Sequence, residues 1–210
     1  KVENVLSEQL LENLLSIIEK NKTLGAGAKP ESAGVSKNQA NDMYVYHLQY
    51  VDKIFLDVLT EWKGGLDILQ HFLNDPYYRQ IPENEPNFLL GFYNARSSVD
   101  FLPLHIDNYV PTLGNHPNAM QIIFSLNGQT EAKGGTFVVP GSHRSGLLPD
   151  RSLSNITTPI NCNPGDALIW DSRLWHGAGE NKTNEDRWSL VATFRPWYLK
   201  QNFDPVRGMT

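Results

Sequence analysis

The residues with the plainest capacity for chemistry are His105, Asp107 and His176. His105 and Asp107 close a run, Phe101 to Asp107, that reads as a β-strand. Side chains at i and i+2 of a strand leave the same face and can hold one ion together. The spacing by itself is weak evidence, because six His and 23 acidic residues in 210 positions produce roughly one such pair by chance. A third ligand strengthens it. Gly165 to Asp171 reads as a turn and a strand that deliver Trp175 and His176 at the far end. Two imidazoles and one carboxylate form a facial set, which leaves three positions of an octahedral Fe(II) for a bidentate co-substrate and O2. Zinc accepts the same side chains, so the ligands alone do not choose the metal.

Arg187 and Ser189 stand two apart on a final β-rich run and project from one face of it. A guanidinium fork matches a carboxylate, and a nearby hydroxyl adds one further bond, so the pair suits the distal carboxylate of a dicarboxylic co-substrate. Taken alone, an Arg on a strand is more often a surface salt bridge, by about three to one.

Composition narrows the field. The formal net charge of −5 offers no broad basic surface for a phosphate backbone, so nucleic acid is not expected as a partner. Apolar runs fall far short of the roughly 20 residues that span a bilayer, so no membrane partner is expected. Cys162 is the only cysteine, which excludes an intramolecular disulfide and thiol-rich zinc sites. The chain opens at Lys1 with no basic-then-apolar leader, so no signal peptide is expected, and the single cysteine favours a reducing cytoplasmic location. Nothing in the composition speaks to oligomeric state.

These residues need a scaffold, and two patterns supply it. Leu6, Leu10, Leu14 and Ile17 recur at helical spacing, which predicts one amphipathic helix over the first twenty residues. Asn21 to Asn41 reads as a loop. Leu48 to Trp62 restores the helical period, Gly64-Gly65 is expected to end it, and Leu66 to Leu73 gives a shorter helical stretch. Beyond Pro82 the pattern changes to short β-rich runs at Phe88–Tyr93, Phe101–Asp107, Met120–Leu126, Thr136–Val139, Ile156–Ile160, Ala167–Asp171 and Trp188–Phe194. The prediction is a mainly β fold with N-terminal helices: a jelly roll covered on one face by a helical preface of about residues 1–80, with the barrel over about 85–200. A single domain over 1–210 is expected, because neither part looks able to bury its apolar face alone.

The ordered set His105-x-Asp107, Gly134-Gly135-Thr136-Phe137-Val138-Val139-Pro140-Gly141-Ser142-His143, Gly165-Asp166, His176 and Arg187 resembles the phytanoyl-CoA dioxygenase family over roughly residues 88–200. The resemblance implies a double-stranded β-helix that uses Fe(II), 2-oxoglutarate and O2. It carries the metal-ligand roles to His105, Asp107 and His176, the co-substrate carboxylate to Arg187, and polar contacts with 2-oxoglutarate to Asn94 and Gln121. A carboxylate at Asp107 argues for oxygenation, since related halogenases carry a small residue there. The segment Pro140 to His143 reads as a structural turn, with His143, His47, His71 and His116 as satisfied structural residues.

The implied reaction is hydroxylation of an unactivated carbon of a small molecule, releasing succinate and CO2. Substrate contacts are expected from Arg96, Asn108, Tyr109, Trp175 and the loop from Asn21 to Asn41. No cluster of Lys and Arg marks an adenosine-phosphate site, so a free small molecule is favoured over an acyl-CoA. Two other classes fit the same ligands: a cupin-like metal hydrolase or isomerase, which needs no 2-oxoglutarate site, and a catalytically silent ligand-binding barrel.

Overall fold

The computed structural model describes residues 1–24, 41–82, 84–108, 110–150 and 156–200. Helix α1 spans Glu8–Asn21, capped by Ser7, whose Oγ accepts from the Leu10 N–H at 3.3 Å, and it buries Leu11, Leu14 and Ile18. The helix starts later than its leucine period predicts. The residues before it are taken by the sheet: Val2 exchanges two 2.8 Å backbone bonds with Ala167, and Val5 and Leu6 donate to the Gly165 carbonyl.

The second helical stretch divides. A 3-10 turn at Leu48–Tyr50 precedes α2, Lys53–Glu61, whose N-cap Asp52 accepts from the Ile54 N–H at 2.9 Å. Helix α3, Lys63–Leu73, follows directly, so Gly64-Gly65 lies in its first turn and does not end α2. The break falls at Trp62 (φ −80°, ψ 82°), and its indole folds back so closely over Gly65 that a Cβ there would collide with the ring. Gly65 is present for that approach rather than as a stop signal.

Ten strands make two antiparallel sheets among the described residues. The larger has the order β1 (Thr23–Leu24), β2 (Met43–Tyr46), β3 (Phe88–Ser97), β10 (Trp188–Pro196), β5 (Met120–Ser125) and β8 (Ala167–Asp171). The smaller has β4 (Leu102–His105), β9 (His176–Ala178), β6 (Thr136–Val138) and β7 (Thr158–Pro159). The sequence pattern misses three of these strands: β1, β2 and β9 run two to four residues, too short for an alternation to register.

Alternation sorts the larger sheet into two faces. Tyr93, Ala95, Ile122, Phe124, Leu190 and Ala192 join Leu14, Ile18, Phe55 and Leu69 in one core, so helices and sheet share their main apolar interior. The opposite face carries Arg96, Asn94, Ser189, Val191, Thr193, Gln121, Ile123 and Trp170, paired across β3, β10, β5 and β8. This second face is much more polar, and the site lies against it. The architecture is a jelly roll flanked by helices, and no helix among the described residues is long and apolar enough to cross a membrane.

Candidate active site

Register brings the two histidines together. His105 ends β4, His176 opens β9, and the two are direct ladder partners with ring centroids 4.2 Å apart. Each ring is oriented from behind: Nδ1 of His105 donates to the Pro103 carbonyl, and Nδ1 of His176 to that of Leu174, both at 2.9 Å. A carbonyl only accepts, so Nδ1 carries the proton and the Nε2 lone pair is left for a ligand role. Both Nε2 atoms converge on Asp107, at 3.6 Å from Oδ1 for His105 and 3.3 Å from Oδ2 for His176. One ligand atom from each of the three residues falls within a 4.8 Å cluster that could hold a metal ion.

The surrounding chain fixes this arrangement. Asp107 follows β4 and is held by the Ser172 carbonyl, which accepts from the N–H groups of Asp107 (3.0 Å) and Asn108 (3.3 Å). Arg173 forks onto Asp171 and braces the turn that presents Ser172. On the far side, Ser142 Oγ accepts from the Trp175 N–H at 2.8 Å, so the Pro140–His143 turn holds the residue before His176. Burial would raise the Asp107 carboxyl, but the neighbouring His176, His105 and Gln121 outweigh it and hold it below the usual range. Burial pulls His176 down, favouring the neutral ligand form; at His105 burial also pulls down, but Asp107 outweighs it and the net shift is upward.

A cavity of about 100 Å³ extends from this cluster between the sheets. Arg187 enters it just before β10 and is only 5% exposed. Its backbone N–H donates to Ser97 Oγ (3.1 Å) and its Nη1 to Gln129 Oε1 (3.4 Å), while Nε is buried with no hydrogen-bond partner. No carboxylate pairs with it among the described residues. Burial, then the neighbouring Arg96, push its pKa down to about 10 against the pull of Asp42, so it remains a cation at neutral pH. A buried cation without an anion is costly, and the natural relief is an anionic ligand in the cavity.

The family model described as phytanoyl-CoA dioxygenase matches residues 1–189. This chain belongs to the phytanoyl-CoA dioxygenase family. Among its relatives, the uncharacterized protein Rv1501 of Mycobacterium tuberculosis is 35% identical over 58% of this chain and 45% of its own length. Dioxygenase af480 of Aspergillus fumigatus is 28% identical over 95% of this chain and 64% of its own. The family member therefore spans roughly half to two thirds of these relatives. HygX from Streptomyces hygroscopicus, in a crystal structure with nickel, 2-oxoglutarate and hygromycin B bound, has the same fold: TM-score 0.72 at 16% identity, covering 95% of this chain and 83% of HygX.

Against that fold, the residues singled out from the sequence divide. His105, Asp107, His176, Arg187, Ser189 and Arg96 all line the cavity. Arg96, however, is engaged by the fully buried Asp42, at 2.9 Å from Nε and 2.5 Å from Nη2, and lies over the Tyr44 ring. Asn94 is on the cavity-side face with its Oδ1 buried and unpartnered. Gln121 is committed to protein, since Oε1 accepts from Thr193 at 2.8 Å and the side chain hydrogen-bonds Asp107. Its side chain thus lies beside Asp107.

Two expected substrate contacts, Asn108 and Trp175, are not among the residues lining the cavity. Asn108 spends its amide on the Val110 carbonyl at 3.1 Å. Trp175 packs with Leu104, Ile106 and Val139 and donates Nε1 to the Leu147 carbonyl. Neighbours along a strand point to opposite faces, so a cavity-facing His176 turns Trp175 outward. Tyr109 and residues 25–40 of the loop lie outside the described residues. The sequence reading missed Trp170, Gln129 and Thr136 in the cavity wall and Asp42 behind Arg96. Only Trp170 had a usable signal, its place on the strand leading to His176.

Proposed function

We propose that this family member is an Fe(II)- and 2-oxoglutarate-dependent oxygenase that hydroxylates a small molecule. The observation that carries the reading is the pairing, in one cavity, of a two-histidine, one-carboxylate cluster with a buried guanidinium that has no anionic partner among the described residues. The donor set suits Fe(II), being nitrogen and oxygen on one face. The orphaned Arg187 Nε suits a carboxylate, and a dicarboxylic keto acid satisfies both requirements at once. A cupin-like hydrolase or isomerase has no use for Arg187. The HygX crystal structure, with 2-oxoglutarate and a small-molecule ligand bound in a like fold, supports the same reading.

In this proposal His105, Asp107 and His176 hold Fe(II), while Arg187 and Ser189 hold the distal carboxylate of 2-oxoglutarate. The iron and co-substrate supply the oxidising power, as O2, 2-oxoglutarate and a C–H bond give succinate, CO2 and an alcohol. The chain's own task is positioning. Asp107 stays ionised, the two rings keep their Nε2 lone pairs inward, and Gln121 and Ser172 steady the carboxylate. Ile123, Val191 and Leu102 supply apolar wall that excludes water.

The test is anaerobic titration of the Fe(II)-loaded protein with 2-oxoglutarate, followed by the visible metal-to-ligand charge-transfer band. Wild type should develop the band and His176→Ala should not. A folded, iron-loaded wild type that gives no band overturns the proposal.

A further inference from the structure

Among the described residues, Trp170 is the one large aromatic in the cavity wall with an unused polar atom. It is 9% exposed, its ring lies 5.1 Å from that of His176, and its Nε1–H is buried with no hydrogen-bond partner. Its register partner on β5 is Gln121, whose carbonyl oxygen receives the Thr193 hydroxyl at 2.8 Å and makes no hydrogen bond with the indole. A phenylalanine would supply the same apolar ring with no unmet donor. The indole N–H therefore wants an acceptor that the protein does not provide.

Register shows where that acceptor would lie. Across β10, β5 and β8 the cavity-side face is built in three rows. The first pairs Ser189 with Ser125, beside Arg187. The second pairs Val191 with Ile123, and the third joins Thr193, Gln121 and Trp170. The Ser125 hydroxyl is also buried without a partner. The wall is thus a strip with hydrogen-bond donors at one end, two aliphatic side chains in the middle, and an indole donor beside the metal ligands at the other. This pattern complements a short linear diacid laid along it, with its methylenes over Val191 and Ile123.

We infer that the Trp170 indole N–H donates to the metal-proximal carboxylate of the co-substrate, the group lost as CO2, and so sets the orientation of that end. This rests on the proposed use of 2-oxoglutarate. Trp170 is then a binding residue that separates co-substrate from product, because succinate keeps the Arg187 end but its second carboxylate, formed from the keto carbon, lies one carbon short of the position that the indole holds.

The experiment is anaerobic calorimetric titration of the Fe(II)-loaded full chain, wild type and Trp170→Phe, with 2-oxoglutarate and separately with succinate. The expected result is an affinity for 2-oxoglutarate lower by about tenfold in the variant, with succinate and Fe(II) affinities unchanged. Equal 2-oxoglutarate affinity in the two proteins overturns the inference. So does an equal loss for both ligands, which would mean that the ring only shapes the cavity. Failure of wild type to bind 2-oxoglutarate would instead overturn the functional reading on which the inference rests. A second measurement needs no variant. In the 15N-indole spectrum of the zinc-loaded wild type, one of the five Trp N–H signals should move with 2-oxoglutarate and stay in place with succinate. If none behaves so, the assignment is wrong.

Discussion

Two arginines share the cavity, and their surroundings predict opposite consequences for their loss. Arg96 neutralises Asp42, which has no exposure and also accepts from the Val99 N–H at 2.7 Å. Arg96→Met would leave a buried carboxylate without its cation, and a loss of about 3 kcal/mol is expected in urea unfolding. Arg187 has no such anion among the described residues. Arg187→Met should leave the midpoint unchanged or raise it, because it removes an uncompensated buried charge, yet 2-oxoglutarate affinity should fall by at least about 100-fold. On the proposed metal assignment, a Gln121→Leu variant should lose roughly 10- to 100-fold in Fe(II) affinity, since Gln121 lies beside Asp107, the proposed carboxylate ligand. Metal titration against a fluorescent chelator checks it, and an unchanged affinity would remove Gln121 from the supporting set.

At the level of elements, the site depends on turns more than on strands. The stretch between β8 and β9 carries Ser172, which holds Asp107, and Trp175, which is held by Ser142. Ser142→Ala should cost about 1–3 kcal/mol by leaving the Trp175 N–H buried and unpaired, and Fe(II) affinity should fall with it because His176 is the next residue. Gly165 has φ +86°, and a Cβ there would press on the Leu6 carbonyl, so Gly165→Ala should loosen the N-terminal segment from β8. Hydrogen exchange at the Val2 and Val5 amides reads that directly. The elements also mark where sequence periodicity succeeds. Helices α1 to α3 and the longer strands lie close to their expected positions because their buried faces repeat. Strands β1, β2 and β9 do not show in the pattern, and neither does the continuation of α3 through Gly64-Gly65, where contact with the Trp62 ring overrides the usual meaning of a glycine pair.

For the whole molecule, the main apolar cluster decides cooperativity. Leu14 of α1 and Phe124 of β5 are both fully buried in it, although one belongs to the helical preface and the other to the jelly roll. Leu14→Ala should cost about 2–5 kcal/mol, and unfolding followed by helix circular dichroism and by Trp fluorescence should give coincident transitions in wild type and variant alike. Separate midpoints would show that preface and barrel unfold independently.

What the sequence determined on its own was chemical identity and order: the His-x-Asp pair, the later His, the Arg and Ser beyond it, and the helical and alternating faces around them. These are legible because they depend on residue type and on local repeats of two or 3.6 residues. The tertiary structure alone decided which polar groups are already satisfied. It set Asp42 against Arg96, 54 positions away, and left Arg187 without a carboxylate among the described residues. It gave the Gln121 oxygen to Thr193, turned Trp175 outward and brought Trp170 to His176. Those outcomes depend on strand register and on which sheet faces which, and neither is written in the spacing of nearby residues.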